Sequence, residues 1–371
     1  MKYILQIHTG SWHDQPGEPE RIVRKIEEVS SRIPVGKVII GWNTDPLVYK
    51  KVGEYLHRSG IEMILWLPVF SETNKILETD EALDVFGKSI VTPVEQVGES
   101  FTFGCFTSRH NTRTAEEIYE RYFQGCGFDG VFLDRIRSQS FVAGVSGVLS
   151  CGCGRCRKAF REKGVDIDAV GKLYETKGDA FFDMASWPMN GQFRLKDETA
   201  QRFFEAKEEI IAEAVAELCK HFREKGLMVG LDLFAPAVSR FVGQNYALIT
   251  KQADFIKPML YRRTDAPAGI GYEFELFAKA APHARGYCRP AMDSAFLETQ
   301  LEAVGQVSCE KYPGIEINYD RELVRTDADY ITESLAAIRA HGFEGAALCW
   351  NLMQAPEAHI EAVAGLERDP D

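Results

Sequence analysis

Short apolar runs alternate with longer amphipathic stretches along the chain, the pattern of a parallel sheet assembled from βα units. Eight runs read as strands, at 3–8, 37–43, 62–70, 130–135, 227–234, 255–261, 314–319 and 345–351. Helical spacing of apolar residues predicts helices over 20–33, 46–59, 114–124, 198–225, 239–253, 272–281, 328–341 and 356–366. Gly60, Gly127, Gly226 and Gly342 each stand between a helix pattern and the next strand, where a left-handed C-cap is expected. Eight such units predict an α/β fold, a single (β/α)8 TIM barrel spanning residues 1–371. An open doubly wound sheet is the alternative, but HTGSWHDQPG after the first strand lacks the glycine-rich phosphate turn that such folds carry.

Two excursions interrupt the rhythm. One covers 138–197, between the fourth strand and its helix, and the other follows the sixth strand over roughly 282–312. Insertions after strands fall on the catalytic face of a barrel, where they form pocket walls.

Parity along each strand separates side chains that face the barrel interior from those that face the helices. In GVFLDRIR, Asp134 shares a face with Phe132; in VGLDLFAP, Asp232 shares one with Gly230; in GIEINYD, Glu316 and Asn318 go together. The sixth strand aligns Lys257, Met259 and Tyr261, and the first aligns Gln6 with His8. Ionisable groups directed into one low-dielectric space are costly unless paired or used, so Asp134, Asp232 and Glu316 are the catalytic candidates. Their bland reading is a structural network with Lys257. Two opposed carboxyl groups are what glycoside cleavage needs, about 5 Å apart for retention and about 6.5–9.5 Å for inversion. On this reading Asp134 is the nucleophile or charge stabiliser, and Asp232 or Glu316 the proton donor.

Aromatic residues at strand ends fit the same chemistry, because sugar rings present apolar faces that stack on π surfaces. The substrate-binding candidates are His8, Trp42, Arg135, Lys257, Tyr261, Asn318, Trp350 and Asn351. Arg135, Arg137 and Arg262 follow strand residues, placed either to bind an anionic sugar substituent or to pair with the carboxylates.

Composition narrows the partners. The net charge of −12 lacks the basic footprint of a nucleic-acid binder. The opening MKYILQIHTG is too short in its apolar stretch for a secretory signal or a membrane span, so a cytoplasmic protein with no membrane partner is expected. Nine cysteines then read as free, metal-bound or catalytic thiols. The expected partner is a small carbohydrate, and homo-oligomerisation is compatible with the sequence.

The run FDGVFLDRIR, residues 128–137, resembles the DG-(apolar)-D-x-(I/V)-R strand of barrel glycosidase families of the GH-A-like superfamily. The resemblance implies an acidic catalytic residue at Asp134, and GAALCWNLM resembles the tryptophan-bearing last strand of the same superfamily. The chain departs from the retaining clan at one point, with Leu133-Asp134 where that clan has Asn-Glu.

Residues 151–156 read CGCGRC, which sets Cys151, Cys153 and Cys156 in one glycine-rich turn. Three thiolates at this density suit a tetrahedral Zn²⁺. The fourth ligand is expected from the FGCFTSRHN loop, with Cys105 first and His110 second. The arrangement resembles the structural zinc cluster of glycoside hydrolase family 42 β-galactosidases, in which an upstream cysteine joins a CxCxxC motif. Four thiolates leave no open position, so a structural Zn²⁺ and no organic cofactor are expected.

Two other readings stay open. A Schiff-base lyase or aldolase would use the inward Lys257, and a non-catalytic carbohydrate-binding barrel would keep the aromatics without turnover.

Overall fold

The computed structural model describes residues 1–92 and 101–368. Eight parallel strands form the barrel: β1 Lys2–His8, β2 Val35–Gly41, β3 Glu62–Pro68, β4 Gly130–Asp134, β5 Met228–Phe234, β6 Phe255–Met259, β7 Gly314–Glu316 and β8 Gly345–Cys349. They pair in chain order, and β8 returns to β1 through the rungs Lys2–Gly345 to Leu5–Leu348, closing the ring. β6 meets β7 through the rung Gly314–Met259, and Glu310–Lys311, just ahead of β7, pair in parallel with Phe255 and Ile256. Pro313 separates the two stretches and lacks the N–H that would continue the ladder.

All eight expected strands are present, and several end earlier than their apolar runs. The backbone beyond β8 leaves the ladder because the Trp350 N–H donates to the Asn318 side chain (3.2 Å). Residues past the rungs thereby turn over the barrel mouth.

The interior is filled in layers. Phe132, Gly230 and Phe255 stand at one level on β4, β5 and β6, joined by the rungs Phe132–Gly230 and Gly230–Phe255. The Phe132 and Phe255 rings stack 6.1 Å apart at 9°. That stack exists because Gly230 has no side chain: a Cβ there would lie 2.1 Å from the Phe255 ring. Below, Lys37 holds its ammonium 5.6 Å from the Phe255 ring and pairs with Glu62, so the lower end of the barrel is plugged.

Helices surround the strands. Asp45 and Asp197 cap Pro46–Arg58 and the 27-residue Glu198–Glu224 by accepting from the first-turn N–H groups. Gly60, Gly127, Gly226 and Gly342 all adopt positive φ, between 68° and 84°, ahead of their strands. The pattern over 239–253 does not give one helix. Gly243, at φ 81°, and the Asn245 cap break it into short turns, including Tyr246–Ile249. The segment 138–197 carries the helices Gly154–Glu162 and Ile167–Lys177 and a hairpin of Met184–Ser186 with Arg194–Leu195. The later excursion contains the helix Ser294–Val304. No helix among the described residues is long and apolar enough to cross a membrane.

Candidate active site

A pocket opens at the carboxyl ends of the strands, with about 610 Å³ of empty space when the open solvent at its mouth is counted. The acidic groups come from neighbouring strands. Asp134 and Asp232 each stand one residue beyond the rung Leu133–Leu231, on adjacent inward positions of β4 and β5. Backbones of paired strands run about 4.8 Å apart. Both residues line the pocket and both are nearly buried, at 9% and 3% exposure.

Their surroundings differ. The Asp134 carboxylate accepts the Trp66 indole N–H at 2.9 Å and the Arg135 backbone N–H at 2.5 Å. Asp232 faces Lys257 across the rung that pairs them, with Nζ donating to Oδ2 at 2.9 Å, while Oδ1 is buried without a partner. Burial pushes the Asp232 carboxyl up to about 7, a rise that Lys257 opposes and the nearby Asp134 reinforces. The same ammonium donates to Gln6 Oε1 (3.2 Å) and Tyr261 Oη (3.0 Å), which uses its three protons. Burial alone would lower Lys257; Asp232, with Cys349 and Asp134, offsets this, and the ammonium is held above its ordinary value.

Glu316 is not in the pocket lining. Its carboxylate is buried and accepts from the Arg263 N–H (2.8 Å), the Thr264 hydroxyl (2.9 Å) and the Tyr330 hydroxyl. Burial still raises its pKa. The structure therefore brings Asp134, Asp232 and Lys257 together and sets Glu316 behind the wall, where it ties the loop after β6 to the helix Ala328–Ala340.

Aromatic rings line the mouth. Trp42 stacks on Trp12 at 6.0 Å and meets Trp66 edge-on at 5.3 Å; Trp350 and Tyr261 also line the pocket. His8 packs edge-on against Trp42 (5.2 Å). Its pKa is lowered to about 4 by burial and by Arg135, so its imidazole is neutral near pH 7. Asn318 and Asn351 act on the backbone: Asn318 accepts from Trp350 N–H, and Asn351 from His8 N–H at 3.4 Å. Arg135 adopts a left-handed φ of 53° directly after Asp134, lies over the Trp42 and Phe101 rings, and pairs with Glu72. A non-glycine residue in that conformation at a strand end is the sort of backbone strain found at working sites.

The pocket also uses residues outside the substrate-binding candidates drawn from the sequence. Gln6 shares a face with His8, so parity points to it. Trp66 reads as core, and only the Asp134 hydrogen bond reveals its second role. Phe101 arrives from a loop with no strand or helix pattern.

Away from the mouth, Cys105, Cys151, Cys153 and Cys156 converge, with all four sulfur atoms within 4.8 Å of one another. Cys105 Sγ lies 3.5 Å from both Cys153 Sγ and Cys156 Sγ. Zn–S bonds of about 2.3 Å in a tetrahedron require sulfur separations of about 3.8 Å. The set thus fits a tetrahedral ion; His110, the second choice for the fourth ligand, is not part of it.

No family model and no curated protein matches this sequence. Solved structures do resemble it in fold. The PgaB (BpsB) glycoside hydrolase domain from Bordetella bronchiseptica is 13% identical, with a TM-score of 0.61 over 98% of this chain and 97% of that one. The catalytic domain of a Paenibacillus polymyxa β-amylase is 10% identical, with a TM-score of 0.58 over 98% and 97%. α-L-Fucosidase isoenzyme 2 from Paenibacillus thiaminolyticus is 12% identical, with a TM-score of 0.56 over 99% of this chain and 49% of that one. At such identities the likeness is one of fold: a parallel eight-stranded barrel of the architecture that these glycoside hydrolases use.

Proposed function

We propose that this chain is a glycoside hydrolase acting on an O-glycosidic bond of a small glycoside or oligosaccharide. Asp232 is the proton donor and Asp134 the carboxylate that meets the anomeric carbon. The carrying observation is that two carboxyl groups from neighbouring strand ends share one aromatic-walled pocket in unlike settings. Asp232 holds a proton at neutral pH often enough to give it up. Asp134 instead accepts two N–H donors, from Trp66 and from the Arg135 backbone.

In the reaction the Asp232 proton passes to the glycosidic oxygen as its bond to the anomeric carbon breaks. Asp134 bonds to that carbon or takes a proton from the water that does, and the elements of one water finish on the two products. Tyr261 and Trp350 offer stacking faces to sugar rings, and Trp42, stacked on Trp12 and covered by Arg135, backs that wall. Asn318, Asn351 and His8 support the backbone and rings of that wall. Glu316, with its oxygens already taken by three donors, is better suited to position the wall than to donate a proton.

A Schiff-base role for Lys257 needs a free amine. Three accepted protons and a raised pKa work against it. A non-catalytic sugar-binding barrel would leave the contrast between Asp134 and Asp232 without use.

The test is a panel of 4-nitrophenyl glycosides assayed with wild-type protein and with Asp134→Asn. The expected result is hydrolysis of at least one member, reduced ~10³-fold or more in the variant, whose melting is unchanged. Turnover unaffected by the substitution removes Asp134 from the mechanism. Borohydride trapping of a carbonyl compound on Lys257 would move the chain to the lyase class.

A second reading concerns the four-thiol cluster. We propose that Cys105, Cys151, Cys153 and Cys156 hold a structural Zn²⁺, supported by sulfur spacing that suits a tetrahedron. Bound there, the ion joins the loop after β3 to the insertion after β4 and activates no water.

A further inference from the structure

Among the described residues four arginines are buried: Arg135, Arg137, Arg240 and Arg262. Three have a carboxylate in salt-bridge range. Arg135 pairs with Glu72 at 3.5 Å, Arg240 with Glu208 at 2.5 Å and Arg262 with Glu333 at 3.2 Å. Among the described residues Arg137 has none within 4.0 Å. It is 5% exposed and lines the pocket.

The guanidinium is held as a flat cation between two rings, 4.6 Å from the Phe103 centroid and 4.4 Å from that of Phe234. Its Nη1 donates to the Ser138 carbonyl at 3.0 Å. That leaves most of its five N–H donors without a protein acceptor. Glu273, Asp134 and Asp232 act on it only at longer range, and burial lowers its pKa to about 10, so it stays charged at neutral pH. Burying a cation without a close partner is costly, and a fixed orientation between two rings is of little structural use unless something binds in its plane.

The rest of the lining has the same bias. Trp42 and Trp350 line the pocket with indole N–H groups buried and unpartnered. Donors therefore outnumber acceptors among the unused polar groups, with Asp232 Oδ1 the exception that the proposed chemistry uses. A neutral sugar brings a donor with every hydroxyl that accepts, whereas an anionic group brings acceptors alone. An oxyanion corrects the imbalance, and a planar carboxylate matches the guanidinium fork.

We infer that the pocket selects a sugar carrying an oxyanion at C6, a uronic acid in the first instance, with Arg137 as the residue that binds the anion. The inference rests on the glycoside-hydrolase reading for its reacting bond, but not for its binding. In a uronic acid the carboxylate and the anomeric carbon lie on opposite sides of the ring oxygen. One sugar unit can therefore present its anomeric carbon to Asp134 and Asp232 and its charge to Arg137.

Binding decides this without turnover. Calorimetric titration of the Asp134→Asn protein is run with glucuronate and galacturonate, their methyl esters, the matching neutral hexoses and the hexose 6-phosphates. At least one anionic sugar should bind about tenfold to a hundredfold more tightly than its neutral counterpart. A uronate preferred over its own methyl ester identifies the carboxylate as the group read; preference for a 6-phosphate retains the site and reassigns the anion. Arg137→Gln should bring the anionic-to-neutral ratio towards one, and Arg137→Lys should keep part of it.

Equal affinity for acid and ester, together with no preference for a 6-phosphate over the neutral hexose, in the Arg137-containing protein overturns the inference, whatever the fold of the Arg137 variants. A uronate that binds selectively in a protein hydrolysing no glycoside supports the anion site and sinks the hydrolase reading. Hydrolysis of neutral glycosides with no selectivity for anions does the reverse.

Discussion

Asp232 and Lys257 are register partners on adjacent barrel strands, joined by a 2.9 Å contact between Oδ2 and Nζ in a site that is almost closed to solvent. Their pairing gives Asp232 one engaged oxygen and one free oxygen, and it opposes the burial that lifts its pKa to about 7.

The pH dependence of turnover follows from that pair. With Asp232 as donor, kcat/KM falls as pH rises through about 7, because the proton is lost. Lys257→Met removes the charge that favours the carboxylate, so the falling limb moves to higher pH, with a lower plateau. A pH profile of both proteins checks this, and a limb that stays in place would separate Asp232 from proton donation.

Stability at acid pH depends on His8. Its folded pKa, near 4, lies below the ordinary value of 6.5, so the unfolded chain binds the proton more readily between these limits. The contribution is present above pH 6.5 and is lost as pH falls to about 4, amounting to roughly 2–3 kcal/mol. Urea unfolding at pH 7 and pH 4.5 should show His8→Gln losing less stability than wild type. Equal losses would remove His8 as the cause.

The barrel floor is sensitive to one methyl group. Gly230→Ala places a Cβ 2.1 Å from the Phe255 ring, which must then leave its stack on Phe132. A loss of about 1–3 kcal/mol or more is expected by chemical denaturation. Pairing it with Phe255→Leu should recover part of the loss, whereas a harmless Gly230→Ala would contradict the packing described.

Metal content tests the cysteine cluster. Elemental analysis should give one zinc per chain, and Cys153→Ser should lower both zinc content and Tm, the latter by more than about 5 °C. Because Cys105 stands two residues beyond Phe103, which stacks on Arg137, losing the ion should also weaken ligand binding in the pocket. Metal-free protein with unchanged melting would contradict the assignment.

The barrel is legible in the sequence because its strands alternate or run apolar and its helices carry capping glycines at Gly60, Gly127, Gly226 and Gly342. Parity also places Asp134, Asp232, Lys257 and Tyr261 inside, since period two is a local property of the strand. It does not reveal that Glu316, on an inward position, turns to Tyr330 and Thr264, because those partners come from a distant helix and loop. Nor does it separate Arg137 from Arg135 and Arg262. Which arginine has a carboxylate nearby is decided by Glu72 and Glu333, far away in the chain. The broken helix after β5 was written in Gly243 and Asn245, a local signal outweighed by the apolar spacing around it.

In the proposed reaction Asp232 gives its proton to the departing oxygen while Asp134 meets the sugar. Leaving-group dependence tests it most directly. For the glycone that the protein hydrolyses, kcat/KM is compared between a 4-nitrophenyl glycoside, whose leaving group needs little protonation, and the matching methyl glycoside or disaccharide, whose leaving group needs a proton. Asp232→Asn should lose on the order of 10²-fold more on the poor leaving group than on nitrophenolate, whereas Asp134→Asn should impair both alike. Equal losses on the two substrates in Asp232→Asn would contradict the account.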